Sequence, residues 1–125
     1  VSGFEPAEAG LGLPRSARIR SRQDFLRIQQ RGTRVQTRHF VIMMLPDSRQ
    51  RIGITVTRRT AGAVGRNRVK RLVREVFRRN RSLFPPRSQV VVLARAGADR
   101  LGYAAVSGEV QKASAAMLRA LKGTS

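Results

Sequence analysis

The chain has 125 residues, enough for one domain with a real core but not for two. At 41% apolar and 5% aromatic, that core must come mostly from Val, Leu, Ile and Ala, and with no cysteine there is no disulfide, thiolate metal ligand or thiol nucleophile. Twenty-six Lys and Arg against seven Asp and Glu give a formal net charge of +19, a self-repulsion that destabilises the compact state unless a polyanion balances it.

The charge is unevenly placed. Between Arg15 and Arg87 lie twenty arginines and Lys70 against only Asp24, Asp47 and Glu75, a net of +18 that leaves +1 for the two flanks together. Of the 26 basic residues 23 are Arg, whose planar guanidinium grips phosphate bidentately and stacks on bases. Nucleic acid is therefore the expected partner. No apolar run approaches the ~18 residues of a membrane span, and no charged n-region with an apolar h-region opens the chain. The expectation is a soluble cytoplasmic protein with no membrane partner.

In chain order, residues 1–14 hold three Gly, two Pro and two Glu without periodicity and read as a flexible leader. The domain is expected over 15–122, with a short tail at 123–125. "SRQDFLRIQQRG" predicts a helix over about 22–31, with Ser21 as N-cap, Asp24 at N3 and Gly32 as a C′ stop. Phe25, Leu26 and Ile28 form its apolar side. Arg34 to Thr37 suits a short edge strand, and "RHFVIMMLP" a buried strand ended by Pro46-Asp47. "RIGITVT" alternates at period two, with Ile52, Ile54 and Val56 on one face and Gly53, Thr55 and Thr57 on the other. "QVVVLAR" at 89–95 is another strand, entered through Pro85-Pro86. The last long segment is a helix with Tyr103, Val106, Val110, Ala113, Met117 and Leu121 on one stripe, its first turns weakened by Ser107-Gly108.

The most informative stretch is "GRNRVKRLVREVFRRNRS", residues 65–82. On a helix, Val69, Leu72, Val73, Val76 and Phe77 share one face, while Asn67, Lys70, Arg71, Arg74 and Arg78 gather opposite. A solvated helix gains about 0.2–0.5 kcal/mol from each i,i+4 pair of opposite charge. This one sets Lys70 against Arg74 and Arg74 against Arg78, which costs a similar amount. One side is built to dock on a sheet and the other on phosphates. The approach, "TVTRRTAGAVGRNRVKR", runs from a strand through Arg58-Arg59 and a Gly-containing turn, where free N–H groups of the first helical turn attract phosphate. No P-loop pattern is present.

The ordered string "RIGITVTRR … GAVGRNRVKRLVREVF" resembles the signature of the bacterial ribonuclease P protein family, with Arg66-Asn67-Arg68 matching its RNR motif. The resemblance runs from Leu13 to about Leu121 and includes "LPR … RIRSRQDF", "RGTRV … FV" and "VVVLAR" with "LGY". It implies an α+β fold, a single-domain sandwich of about four strands and three helices with a left-handed β-α-β crossover. From chirality alone a right-handed one would be expected. It also implies a subunit of a ribonucleoprotein that removes the 5′ leader of precursor tRNA. On that resemblance ribonuclease P RNA with Mg²⁺ would perform the cleavage, and the protein would bind that RNA and the leader. No obligate protein partner is expected.

Two surfaces follow from the resemblance. The RNR helix and its approach, Arg58, Arg59, Arg66, Asn67, Arg68, Lys70, Arg71 and Arg74, are expected to face RNA. A groove between the first helix and the open sheet face would hold the leader. Phe25 would stack on a base there, Thr55 and Thr57 would line the floor, and Arg18, Arg20 and Arg22 would flank the entrance. Stacking of this kind is worth about 1–3 kcal/mol per base. The plainer role for Phe25 is a core residue beneath the helix. Gln29 and Met43 stand where relatives often carry aromatics, and Ala61-Gly62-Ala63 where Gly-Asn-Ala is common. No catalytic side chain and no protein-bound metal is expected. General acid–base hydrolysis wants paired His or carboxylate groups, and the basic core offers His39 and three acids, none spaced as a pair. A ribosomal or RNA-chaperone protein of the same fold, and a DNA-binding protein, are the alternatives. The dense Arg/Lys face is poorly suited to duplex base readout.

Overall fold

A computed structural model describes residues 13–122. Most of the expected leader and the tail at 123–125 lie outside the described residues. Leu13 and Pro14, the last two leader positions, belong to the fold: Leu13 is buried, and the Pro14 carbonyl accepts from the Ala17 N–H at 3.0 Å.

The elements are α1 (Arg22–Arg31), β1 (Thr33–Gln36), β2 (Phe40–Pro46), β3 (Arg51–Thr55), α2 (Ala63–Arg79), β4 (Ser88–Ala94) and α3 (Tyr103–Lys122), with short 3₁₀ turns at Arg15–Ala17, Arg81–Leu83 and Ala98–Arg100. One sheet has the order β1-β2-β4-β3. β2 pairs antiparallel with both β1 and β4, while β3 and β4 run parallel and are joined through α2. This is the α+β architecture expected, with strand ends shifted by one or two residues.

The sheet is covered on both faces, which is why β4 reads as a continuous apolar run rather than an alternation. On one side α2 and α3 bury Val69, Val73, Val76, Phe77, Val106, Val110 and Met117 against Phe40, Ile42, Met44, Ile52, Val90 and Val92. On the other, α1 sets Ile28 against Ile19, Met43 and Val91, with Phe25 at the margin. The apolar stripe predicted for α3 is the buried one, Tyr103 being half-buried, and Ser107-Gly108 do not interrupt the helix.

Two glycines bound helices, one of them in a different way from the expectation. Gly32 ends α1, but with φ −70° and ψ 149°, so no left-handed conformation is involved. A β-carbon there would lie 2.4 Å from the Ile28 carbonyl oxygen and 3.0 Å from the Met44 amide nitrogen, so close backbone approach demands the glycine. Gly62 caps α2 in extended conformation with no side-chain bond and open space around it.

Candidate nucleic-acid interface

Ser21 caps α1 as expected, its Oγ accepting from the Asp24 N–H at 3.4 Å. That start aims Phe25 at the sheet. The ring occupies the space over Gly53, where a β-carbon would fall 2.4 Å from its Cζ. One side of Phe25 is therefore packing, and another lines a groove of ≈ 490 Å³. The groove is walled by Phe25, Leu26 and Gln29 of α1, floored by Ile54, Thr55 and Val56, and flanked by Arg20, Arg22 and, from α2, Lys70. It runs along β3, an outer strand of the sheet.

Of the expected groove residues, Phe25, Thr55, Arg20 and Arg22 come together there. Arg18 and Thr57 do not. Arg18 turns inward, its Nε and Nη2 donating to the Leu13 carbonyl at 3.3 and 3.0 Å. Thr57 lies beyond the end of β3 in the turn to α2, its hydroxyl 3.2 Å from that of Thr60. Period-two alternation put Thr57 on the strand face, but the strand stops two residues earlier.

The basic face of α2 forms where the periodicity placed it: Asn67, Arg71 and Arg78 are exposed, Lys70 and Arg74 half-buried; of the two RNR arginines, Arg68 is exposed and Arg66 half-buried. Arg58 and Arg59 are exposed in the turn before the helix. Two of these arginines also brace the fold. Arg66 Nη1 donates to the Ala61 carbonyl and Arg68 Nη2 to that of Leu101, both at 3.0 Å. Lys70 is the residue that joins this face to the groove, so the two expected surfaces are one continuous surface.

Sequence reasoning missed the groups that hold this surface in place. Asp47 accepts from Arg51 Nε at 3.2 Å and Gln89 Nε2 at 3.0 Å, while Gln89 Oε1 accepts from Arg27 Nη2 at 3.1 Å. Arg27 also pairs with Asp24 at 2.9 Å, so the network ties α1 to the starts of β3 and β4. Burial works to raise the Asp47 carboxyl, but bonds from Gln89, Ser48 and Arg51 hold it below its ordinary value. His39, unpaired by sequence spacing, is paired in space: its Nδ1 meets Glu109 Oε2, and Glu109 Oε1 accepts from Thr37 Oγ1 at 2.7 Å and the His39 N–H at 3.0 Å. This pair fastens the β1–β2 turn to α3, away from the groove. Only long-range contact, 70 residues apart in sequence, reveals it.

Among the described residues no three His, Cys, Asp or Glu side chains come together as a metal site, and no helix is long and apolar enough to cross a membrane.

A mixed four-stranded sheet crossed by an arginine-rich helix, with a groove beside it, defines a class of small basic α+β proteins. The family model described as Ribonuclease P matches residues 13–118, and the chain belongs to that family. It is 41% identical to the ribonuclease P protein component of Desulfovibrio desulfuricans over 90% of this chain and 92% of that one. With the component from Syntrophus aciditrophicus it shares 40% identity over 80% of this chain and 86% of the relative. The solved ribonuclease P protein of Thermotoga maritima superposes with a TM-score of 0.70 at 32% identity, covering 82% of this chain and 96% of that structure.

Proposed function

We propose that this chain binds ribonuclease P RNA through the α2 face and the single-stranded 5′ leader of precursor tRNA in the α1–β3 groove. It thereby assists Mg²⁺-dependent endonucleolytic release of the leader, which forms the mature tRNA 5′ end. The observation that carries this reading is the junction at Lys70. A cationic helix face suited to structured phosphate opens directly into a groove with one aromatic wall, hydroxyl and amide groups, and two flanking arginines. That combination is the chemistry of single-strand recognition: charge for the backbone and a ring for a base.

The chemistry of cleavage falls to the RNA. Asp24, Asp47, Glu75 and Glu109 are engaged by Arg, Gln, Thr or His, and Asp99 lies against the first turn of α2. These carboxylates are dispersed and do not fit a protein-held Mg²⁺, whose ligands would be RNA phosphates and water. The protein's part is to neutralise phosphate and fix the substrate, so that less free Mg²⁺ is needed.

The test is precursor-tRNA cleavage by a bacterial ribonuclease P RNA at low Mg²⁺, with and without the protein. Stimulation is expected, with its loss in Arg66→Ala/Arg68→Ala and a loss confined to long-leader substrates in Phe25→Ala. Tight RNA binding with no stimulation by any compatible RNA would overturn the reading in favour of a general RNA-binding role.

A further inference from the structure

Beyond the groove and the RNR motif, the far end of α2 carries Arg78, where the basic face ends, and two further arginines, Arg79 and Arg81. Arg78 grips Glu75 with two nitrogens, Nε at 3.1 Å and Nη2 at 2.6 Å. Arg79 meets the same carboxylate through Nε at 2.7 Å, and its guanidinium lies 5.2 Å from the centre of the Tyr103 ring. Tyr103 is itself fixed, since its hydroxyl accepts from Asn80 Nδ2 at 3.1 Å. Arg81, in the turn that follows, lies 5.1 Å from the centre of the buried Phe77 ring.

One carboxylate and two aromatic rings thus hold three guanidinium groups. They nevertheless remain open to solvent: the side chains of Arg78 and Arg79 are 37% and 57% exposed, and Arg81 is exposed. A guanidinium has five N–H donors, so the clamps leave donors over. An arginine on a bare surface loses rotamer freedom when it meets a phosphate; one already stacked and clamped loses much less. The local charge stays at +2 after Glu75 is counted against the three. The Arg78 bonds, outweighing burial, hold the Glu75 carboxyl below its ordinary value, so the clamp persists through neutral pH.

We propose that Arg78, Arg79 and Arg81 form a pre-organised phosphate-docking site for a second backbone segment of the structured RNA that binds the α2 face. Arg79 lies thirteen helical steps beyond Arg66, about 20 Å at 1.5 Å per residue. A rigid RNA lying along α2 would meet cationic sites at both ends of the helix, which fixes its direction as well as its affinity. The inference rests on the RNA-binding reading above.

The test is equilibrium binding of the full-length chain to fluorescently labelled bacterial ribonuclease P RNA across a KCl series. Arg79→Gln/Arg81→Gln is compared with wild type and with Arg66→Gln/Arg68→Gln. The distal pair is expected to weaken binding about tenfold and to make the salt slope shallower by about 1.5, two phosphate contacts' worth, without a matching loss of Tm. Unchanged affinity and slope would overturn the proposal, leaving the arginines as counter-charges to the helix C-terminus. If the proximal pair weakens binding and the distal pair does not, this inference falls and the RNA-binding reading stands; if neither does, both fall. Glu75→Gln serves where the double variant folds poorly. It keeps every arginine and adds one net positive charge, so general electrostatics demand tighter binding, whereas a clamped array predicts binding about threefold weaker. Equal or tighter binding would overturn it.

Discussion

Phe25 and Gly53 share one space: the ring tip lies where a β-carbon on Gly53 would be, 2.4 Å from Cζ and 2.6 Å from Cε1. The strand needs glycine at 53 because the helix brings an aromatic down onto it. Gly53→Ala is expected to push the ring toward the groove at a cost of about 1–3 kcal/mol, the usual range for overpacking. In a Phe25→Ala background the same change should cost far less, because its obstacle is gone. Urea unfolding of the two single variants and the double gives the coupling directly. Additive costs would show that the ring and the glycine do not compete.

Gly32 and Gly62 flank helices, yet substitution should affect them very differently. An alanine at 32 meets the Ile28 carbonyl oxygen and the Met44 backbone, none of which can move without breaking the α1–β1 junction. A loss of at least about 2 kcal/mol is expected, in the class of core overpacking. Gly62 has open space and an extended N-cap conformation, so Gly62→Asn should stabilise by a few tenths of a kcal/mol by supplying the missing cap oxygen. Thermal melts of both variants check this, and similar effects at the two sites would contradict it.

The difference between those glycines marks what the sequence makes legible. Val69, Leu72, Val73, Val76 and Phe77 announce α2 because period and face are local properties, and the same holds for the stripe on α3. The Ser21 cap is local too. The role of Gly32 depends on Met44, twelve positions on, and so could be named but not explained. Phe25 and Thr55 were recognisable as groove residues only through the family pattern. That Lys70 would border the same groove depends on how α2 packs against the sheet. Thr57 was misplaced because alternation does not say where a strand stops. The Asp47–Gln89–Arg27 network and the His39–Glu109 pair involve polar residues with no periodic signal, joined across 42 to 70 positions.

Glu109 links stability to pH. Burial works to raise its carboxyl, but the bonds from Thr37 and from the His39 ring and N–H prevail and hold it below the ordinary glutamate value of 4.5. A carboxyl depressed in the folded state stabilises at pH values above its unfolded pKa, and that contribution disappears as pH falls through the folded one. Glu109→Gln keeps an acceptor for Thr37 but loses the charge, so it should cost about 1–2 kcal/mol near neutrality, as charged hydrogen bonds do. The gap between variant and wild type should close as pH falls below 4.5. Urea midpoints at pH 7 and pH 3 measure it; a gap that stays constant would mean the charge contributes nothing.

Gln89 offers a way to loosen the groove without touching it. It is 6% exposed and bonds both Asp47 and Arg27, so its amide is the bridge between β4 and α1. Gln89→Leu preserves bulk but leaves the Asp47 carboxylate one donor short and frees Arg27 from the strand. A loss of about 1–3 kcal/mol is expected for unsatisfying such groups. Because the Gln89 bond helps to keep Asp47 below its ordinary value of 3.8, the Asp47 titration should move upward. The deficit should then shrink as pH falls from 3.8 through the lowered folded value, below which the carboxylate is protonated in either chain. The loss should also be local. Amide exchange across residues 22–31 should accelerate while that of α3 keeps its rate, since α1 packs on the opposite face of the sheet from α3. With its wall free to shift, the leader binding proposed for the groove should weaken even though Phe25 and Thr55 are intact. Unchanged α1 protection would mean that Ile28 and its apolar neighbours alone position the helix.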